Sequence, residues 1–211
     1  MLKLKICGLT NPENISGLAE TNADFFGLIF YEKSSRFVAH HMAESILKEI
    51  PKKIKKTGVF VNASTEDIVY RIKLFQLDAL QFHGSETPDF IAQFQSPDLI
   101  LIKAFGIGEN FGFKDTTIYE SVCDYLLFDT KTKHYGGSGK RFDTRLLKHY
   151  TGNTPFFLSG GIDKEILNEL NDIHHPQFTG LDINSRFETE SGIKNIEKIL
   201  AFENALKETL Q

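Results

Sequence analysis

Short apolar runs recur along the chain, each ending in glycine or polar residues and giving way to a helical pattern. The first is an alternation, with Leu2, Leu4 and Ile6 on one side and Lys3, Lys5 and Cys7 on the other. A period of two predicts a β-strand. Gly8, Thr10, Asn11 and Pro12 then end it and start a helix. Seven further runs follow, at residues 25–30, 58–61, 79–82, 99–104, 125–129, 155–158 and 178–182. Phe26-Gly27-Leu28-Ile29-Phe30 and Leu99-Ile100-Leu101-Ile102 are apolar on both faces, as parallel strands are when covered on both sides.

Helices are predicted between the runs. Thr65-Glu66-Asp67 reads as an N-cap with acidic residues ahead of Ile68, Val69, Ile72 and Phe75. Thr87-Pro88 puts proline at a first helical position before Phe90, Ile91 and Phe94. Asp163 precedes Ile166, Leu167 and Leu170, and Ile193, Ile196, Ile199, Leu200 and Leu206 give the last helix its apolar stripe. Residues 106–119 carry a weaker pattern, read as a loop with a short helix. Eight strands alternating with helices predict an α/β fold, a closed (β/α)8 barrel of the TIM type; a doubly wound sheet of five or six strands is the alternative. No sequence repeat accompanies this repetition of elements.

Such a barrel does its chemistry at the C-terminal ends of its strands. The residues there are Cys7-Gly8, Tyr31 with Lys33 to Arg36, Asn62, His83-Gly84, Lys103, Asp129-Thr130, Ser159-Gly160-Gly161 and Asp182-Ile183-Asn184-Ser185. Polar residues and glycines directly after apolar runs predict an enzyme.

Composition narrows the class. The chain has 211 residues, 41% hydrophobic and 25% charged, ample for one large core and without a linker-like stretch. One barrel domain over residues 1–211 is expected. The net charge of −4 argues against a nucleic-acid partner, and the basic run Lys52, Lys53, Lys55, Lys56 reads as a solvated helix end. Cys7 and Cys123 form no Cys-x-x-Cys pair, which fits a reducing cytosol better than a disulfide scaffold. The chain opens on a strand pattern rather than a signal peptide, and no apolar run nears the roughly 20 residues of a membrane span. A cytoplasmic location is expected.

Ser159-Gly160-Gly161-Ile162-Asp163 opens a helix after the seventh run. Glycines let the backbone approach an anion, and the loops after strands seven and eight are where barrels bind phosphate. Asp182-Ile183-Asn184-Ser185 supplies the second loop. Gly136-Gly137-Ser138-Gly139-Lys140 lacks the first glycine and the Ser or Thr of a P-loop, and reads as a flexible active-site loop. Gly106-Ile107-Gly108 lacks the later glycine of a dinucleotide site. The pairs His40-His41 and His174-His175 have no metal-ligand spacing and read as surface residues. Asn62-Ala63-Ser64 matches a glycosylation acceptor with no secretory signal to make use of it. Cys7 and Asp129 each end a strand; a thiol and a carboxylate across a barrel mouth suit a base and an acid on opposite sides of one molecule. Cys123 reads as a packing residue.

Together these blocks resemble one family. Lys5-Ile6-Cys7-Gly8-Leu9-Thr10, Gly27-Leu28-Ile29-Phe30-Tyr31 with Lys33-Ser34 and Arg36, Gly58-Val59-Phe60-Val61-Asn62, Leu80-Gln81-Phe82-His83-Gly84, Leu127-Phe128-Asp129-Thr130, Leu158-Ser159-Gly160-Gly161-Ile162 and Gly180-Leu181-Asp182-Ile183-Asn184-Ser185 resemble phosphoribosylanthranilate isomerase. So does the glycine segment at residues 136–140 with Phe142-Asp143. The resemblance implies a ribulose-phosphate-binding barrel and an Amadori rearrangement, the third step from chorismate to tryptophan. It implies Cys7 as general base, Asp129 as general acid, and Arg36 on the anthranilate carboxylate. Gly160, Gly161, Asp182, Asn184 and Ser185 would bring the phosphate loops, and His83 would line the mouth without an assigned role. A small phosphoribosyl molecule is the implied partner, with no cofactor, no metal, no nucleic acid and no membrane; a monomer is expected ahead of a homodimer.

One departure stands out. After Asn184-Ser185 the family usually continues with Gly, Val and Glu, whereas here Arg186 and Phe187 precede Glu188. If that position needs a left-handed backbone, the loop must run differently. The chemistry also sets demands: Cys7 needs its pKa lowered, by Lys5 or by the helix after Asn11, and Asp129 needs its pKa raised by burial. The alternatives are other phosphosugar barrels, such as indole-glycerol-phosphate synthase or the histidine-pathway aminoaldose isomerase, and a non-catalytic barrel that binds phosphoribosyl ligands. A Cys opposite an Asp favours the first reading.

Overall fold

The computed structural model describes residues 2–130 and 142–210. Strands β1 (Lys3–Cys7), β2 (Phe25–Ile29), β3 (Lys55–Phe60), β4 (Ala79–Phe82), β5 (Ile100–Ile107), β6 (Tyr125–Thr130), β7 (Phe156–Leu158) and β8 (Phe178–Ile183) form a closed barrel in chain order. Every neighbouring pair is parallel, and β8 returns to β1. Helices α1 (Pro12–Gly17), α2 (Ala43–Glu49), α3 (Thr65–Phe75), α4 (Pro88–Ala92), α5 (Leu167–Leu170) and α6 (Ile196–Thr209) form the outer layer. Short 3-10 turns at Phe113–Tyr119 and Thr144–His149 stand where longer helices would otherwise follow β5 and β6. No helix among the described residues is long and apolar enough to cross a membrane.

The period of two explains both cores. Phe25, Ala79, Ile102, Ala104, Leu127 and Phe157 pack inside the barrel, Phe25 meeting Phe157 edge-on at 5.6 Å. Their neighbours on the same strands, such as Leu4, Ile6, Leu28, Leu80 and Phe82, face outward against Ile15, Ile46, Ile68 and Ile91 of the helices. Strands between two apolar layers read as unbroken apolar runs for this reason.

Four boundaries differ from the sequence reading. Lys55 and Lys56 belong to β3, and Lys52 and Lys53 to the turn before it, so the basic run is a strand entry and not a helix end. Lys56 Nζ pairs with Asp78 Oδ2 at 2.8 Å at the solvated bottom of the barrel. Strand β5 runs on to Ile107, because Gly106 and Ile107 pair with Asp129 and Thr130. Helix α3 is capped by Ser64 and not Thr65, Ser64 Oγ accepting from Asp67 N. Ile193 lies outside α6, on β10 (Ile193–Lys194), which pairs antiparallel with β9 (Glu188–Glu190) in a hairpin after β8. The glycine segment at 136–140 lies outside the described residues. Of the histidine pairs, His40 and His41 are exposed, whereas His175 is half-buried, with Nε2 2.9 Å from Tyr150 O and Nδ1 accepting from Gln177 N.

The upper loops of β3 and β4 are fixed by one buried ion pair. Lys103 points outward from β5, its neighbours Ile102 and Ala104 being inside. Its Nζ reaches Glu86 Oε2 at 3.3 Å, Gly84 O at 2.7 Å and Phe82 O at 3.2 Å. Glu86 also accepts from Asn62 N and Gly84 N, which ties the two loops together. Removing one partner strands a buried charge, which costs about 3–5 kcal/mol. Lys103→Met is therefore expected to lower unfolding stability by about that amount, read as a fall in the urea midpoint.

Candidate active site

Strand β1 carries Lys5 and Cys7 on its inner face. Gly27 stands opposite Cys7 in the ladder, and a methyl group there would lie 2.7 Å from Cys7 Sγ. The glycine thus makes room for the thiol. Gly8 follows at φ +77°, and its N–H, with that of Leu9, donates to Gly27 O. A side chain at Gly8 would collide with Arg36 Cδ (2.6 Å) and Asn184 Oδ1 (2.7 Å), so this position must be bare for the two loops to close over β1.

Lys5 is fully buried. Its Nζ donates to Asp182 Oδ1 at 2.9 Å, and Asp182 Oδ2 accepts from Ser159 Oγ at 3.3 Å. Burial works against the Lys5 charge, but Asp182 and the Cys7 thiol more than offset it, so its pKa is raised. For Cys7 the balance goes the other way: burial pushes the thiol pKa up, with Lys5 and Lys194 pulling against it. The sequence reading required a lowered thiol pKa, and the direction here is opposite, although Lys5 does pull it down as expected.

Asp129 ends on the mouth of β6. Its Oδ1 accepts from Thr130 N at 2.7 Å, while Oδ2 lies 3.6 Å from His83 Nε2. Burial, reinforced by the charge of Asp182, pushes its pKa up to about 6. The direction is the one expected for an acid, but a value of about 6 leaves roughly a tenth of the carboxyls protonated at pH 7, short of the full protonation the reading called for. His83 goes down to about 4, through burial and then the charges of Lys103 and Lys5, so its ring is neutral at pH 7.

The glycine loop lies against Asp129. Gly160 and Gly161 have φ of +89° and +64°, a region open to glycine. A Cβ on Gly160 would come 2.6 Å from Thr130 N and 2.7 Å from Asp129 Oδ1. In the eighth loop, Asp182 lines the cleft with both oxygens engaged, by Lys5 and Ser159. Asn184 Oδ1 accepts from Lys194 Nζ at 2.7 Å. Ser185–Phe187 forms a 3-10 turn, and among the described non-glycine residues only Asn62 and Gln76 have positive φ. Arg186 therefore needs no left-handed backbone, and Phe187 is buried against Phe202 at 5.0 Å. The departure from the family pattern is accommodated by packing.

Cys7, Tyr31, His83, Asp129, Gly161 and Arg186 line one open cleft, whose wall also includes Gly160, Asp182, Asn184 and Ser185. Arg36 stands beside it with its Nε–Nη2 edge taken by Glu188, at 2.8 and 2.6 Å. Glu188 also accepts from Lys194 Nζ and Gly192 N. Glu188, Lys194 and Gln81 are neighbours of these groups to which the sequence reading gave no part in the site. Gln81 did leave a signal, a polar residue in the otherwise apolar run 79–82. No cluster of three or more potential metal ligands occurs among the described residues.

An eight-stranded parallel barrel with a thiol, a raised-pKa carboxyl and a glycine loop around one cleft has the make-up of a (β/α)8-barrel enzyme. A family model of N-(5'phosphoribosyl)anthranilate (PRA) isomerase matches residues 4–205. A Parabacteroides distasonis protein named N-(5'-phosphoribosyl)anthranilate isomerase is 44% identical over 200 residues, covering 94% of this chain and 90% of its own. The crystal structure of phosphoribosyl anthranilate isomerase from Thermotoga maritima superposes with a TM-score of 0.86 at 33% identity, over 99% of this chain and 100% of that one. An isomerase crystallised with reduced 1-(o-carboxyphenylamino)-1-deoxyribulose 5-phosphate gives 0.84 at 30% identity, with 99% and 100% covered. The chain belongs to the phosphoribosylanthranilate isomerase family, an enzyme family of tryptophan biosynthesis.

The raised Asp129 pKa is also a statement about stability. Between its ordinary 3.8 and about 6 the folded chain holds a proton that the unfolded chain has lost. Stability therefore falls as pH rises through that window, and the cost is complete above it. Asp129→Asn is expected to stabilise the fold by about 1–3 kcal/mol at pH 7 and by nothing at pH 3.5, as read from thermal midpoints at the two pH values.

Proposed function

We propose that this cleft converts N-(5-phosphoribosyl)anthranilate into 1-(2-carboxyphenylamino)-1-deoxyribulose 5-phosphate. Asp129 delivers its proton to the ribose ring oxygen as the C1–O bond breaks, and the anthranilate nitrogen forms a double bond to C1. Cys7, as its thiolate, takes the proton from C2, the electrons form C1=C2 and return to nitrogen, and the proton on sulfur then passes to the Asp129 carboxylate to restore the pair. Protonation at C1 and loss of the C2 hydroxyl proton then give the ketone, so no atom is gained or lost overall. The observation that carries this reading is a thiol on β1 and a raised-pKa carboxyl on β6 lining the same cleft.

The remaining groups fit the two ends of that substrate. Gly160 and Gly161, with the backbone of Asn184 and Ser185, would receive the phosphate, as the loops after β7 and β8 do in barrels of this kind. Arg36, gripped by Glu188 on one edge of its fork, would turn the other edge to the anthranilate carboxylate. Residues 1–211 are read as one catalytic unit that carries every residue the reaction uses, and a monomer is expected.

Conversion is followed by loss of anthranilate fluorescence, with freshly made substrate. Cys7→Ala and Asp129→Asn are each expected to lower turnover by at least ~10²-fold, the low end for proton-transfer catalysis. Near-normal turnover in either variant, with its fold intact, would remove that residue from the mechanism. In sedimentation the active protein should run at the mass of one chain; activity confined to a heavier species would overturn the monomer.

A further inference from the structure

Gln81 occupies a place where packing alone would put an apolar residue. It lies on β4 with Ala79 on the inner face, while Leu80 and Phe82 face the outer core. Only 1% of it is exposed, and its Oε1 has no hydrogen-bond partner among the described residues. A buried amide with half its capacity unmet is costly, so an aliphatic side chain would serve the core better. The one bond it makes runs to the mouth: Gln81 Nε2 lies 2.9 Å from His83 Nδ1.

That bond decides where the ring carries its proton. A neutral imidazole has one N–H and one acceptor nitrogen. An amide N–H aimed at Nδ1 makes Nδ1 the acceptor and leaves the hydrogen on Nε2. Nε2 is the nitrogen that faces Asp129 Oδ2, at 3.6 Å. Oδ1 is already tied to Thr130 N, so Oδ2 is the oxygen whose charge changes when the carboxyl gives up its proton. At 3.6 Å the contact is too long for a hydrogen bond to the neutral acid. It gains strength as Oδ2 turns anionic, so it favours the transition state over the ground state. The opposite tautomer would aim a lone pair at the acid's proton and hold it back.

We propose that Gln81 is a positioning residue that keeps His83 in its Nε2–H form, so that the ring hydrogen-bonds the Asp129 carboxylate created by proton transfer. The neutral state of the ring, facing the charges of Lys103 and Lys5, supports this arrangement. The proposal rests on the reading of Asp129 as the acid. The tautomer itself can be measured apart from that reading.

Gln81→Met, close in volume and apolar, removes the amide; His83→Ala removes the ring. In 15N-histidine NMR of the whole chain, wild type should show His83 protonated at Nε2 and not at Nδ1, and Gln81→Met should lose that preference. Turnover of Gln81→Met should fall about 10- to 100-fold, the worth of one hydrogen bond to a charged group, with KM little changed. In a His83→Ala background the same substitution should have no further effect on kcat, because Gln81 acts only through the ring. An Nδ1–H tautomer in wild type, unchanged turnover in Gln81→Met, or additive losses in the double variant would each overturn the proposal. If Asp129→Asn instead keeps near-normal turnover, it is the acid assignment that falls, whatever the tautomer.

Discussion

The Lys5–Asp182 ion pair is the constraint on which the rest of the molecule depends. The two residues are partners in the β1–β8 ladder, so their 2.9 Å contact sits on the seam where the barrel closes. Their side chains are 0% and 6% exposed, which rules out solvent as the stabiliser of either charge. Desolvating two charges is expensive, and such a pair is worth keeping mainly for what it specifies. Here it sets the register of the closing strands, since a slip of one residue would turn Lys5 outward into the apolar layer of Leu4 and Ile6.

The same pair sets the electrostatics of the mouth. Lys5 pulls the Cys7 pKa down and Asp182 raises that of Asp129, while the Lys5 charge helps keep His83 neutral. Burial is nevertheless the largest cause at all three groups, and it raises the thiol and the carboxyl alike. For an acid that is useful. For a base it is a handicap, which Lys5 and Lys194 oppose and Asp182 deepens.

The barrel was legible because strands between two apolar layers announce themselves, and because turn residues follow each one. The inward direction of Lys5 and Cys7 followed from alternation alone, and the glycine loop from its position after the seventh run. What escaped has a common physical origin. Lys5 finds Asp182 across 177 positions, and Arg36 finds Glu188 across 152, so each pair looks like two ordinary surface charges until the chain closes. Lys55 and Lys56 misled for the opposite reason: a strand entering from solvent can carry charges like a helix end. The sign of the Cys7 shift depends on how deeply the thiol lies, which a one-dimensional pattern does not encode. The Arg186-Phe187 departure was visible, but its resolution, a 3-10 turn with Phe187 packed on Phe202, needed the hairpin and α6 in place.

The hairpin after β8 completes the charge pattern around the thiol. Lys194 is buried and shared between Glu188 and Asn184, and Glu188 holds Arg36 by its fork. Around Cys7 this sets three cations (Lys5, Arg36 and Lys194) against two carboxylates (Asp182 and Glu188). Lys5 and Lys194 draw the thiol towards its anionic form, and Asp182 works against them. Burial keeps the proton on sulfur, while the two lysines lower the cost of removing it below that in an apolar pocket of equal depth. The raised direction of the Cys7 pKa and the partial relief supplied by Lys5 and Lys194 are thus two consequences of one arrangement, and the proposed proton abstraction draws on the second.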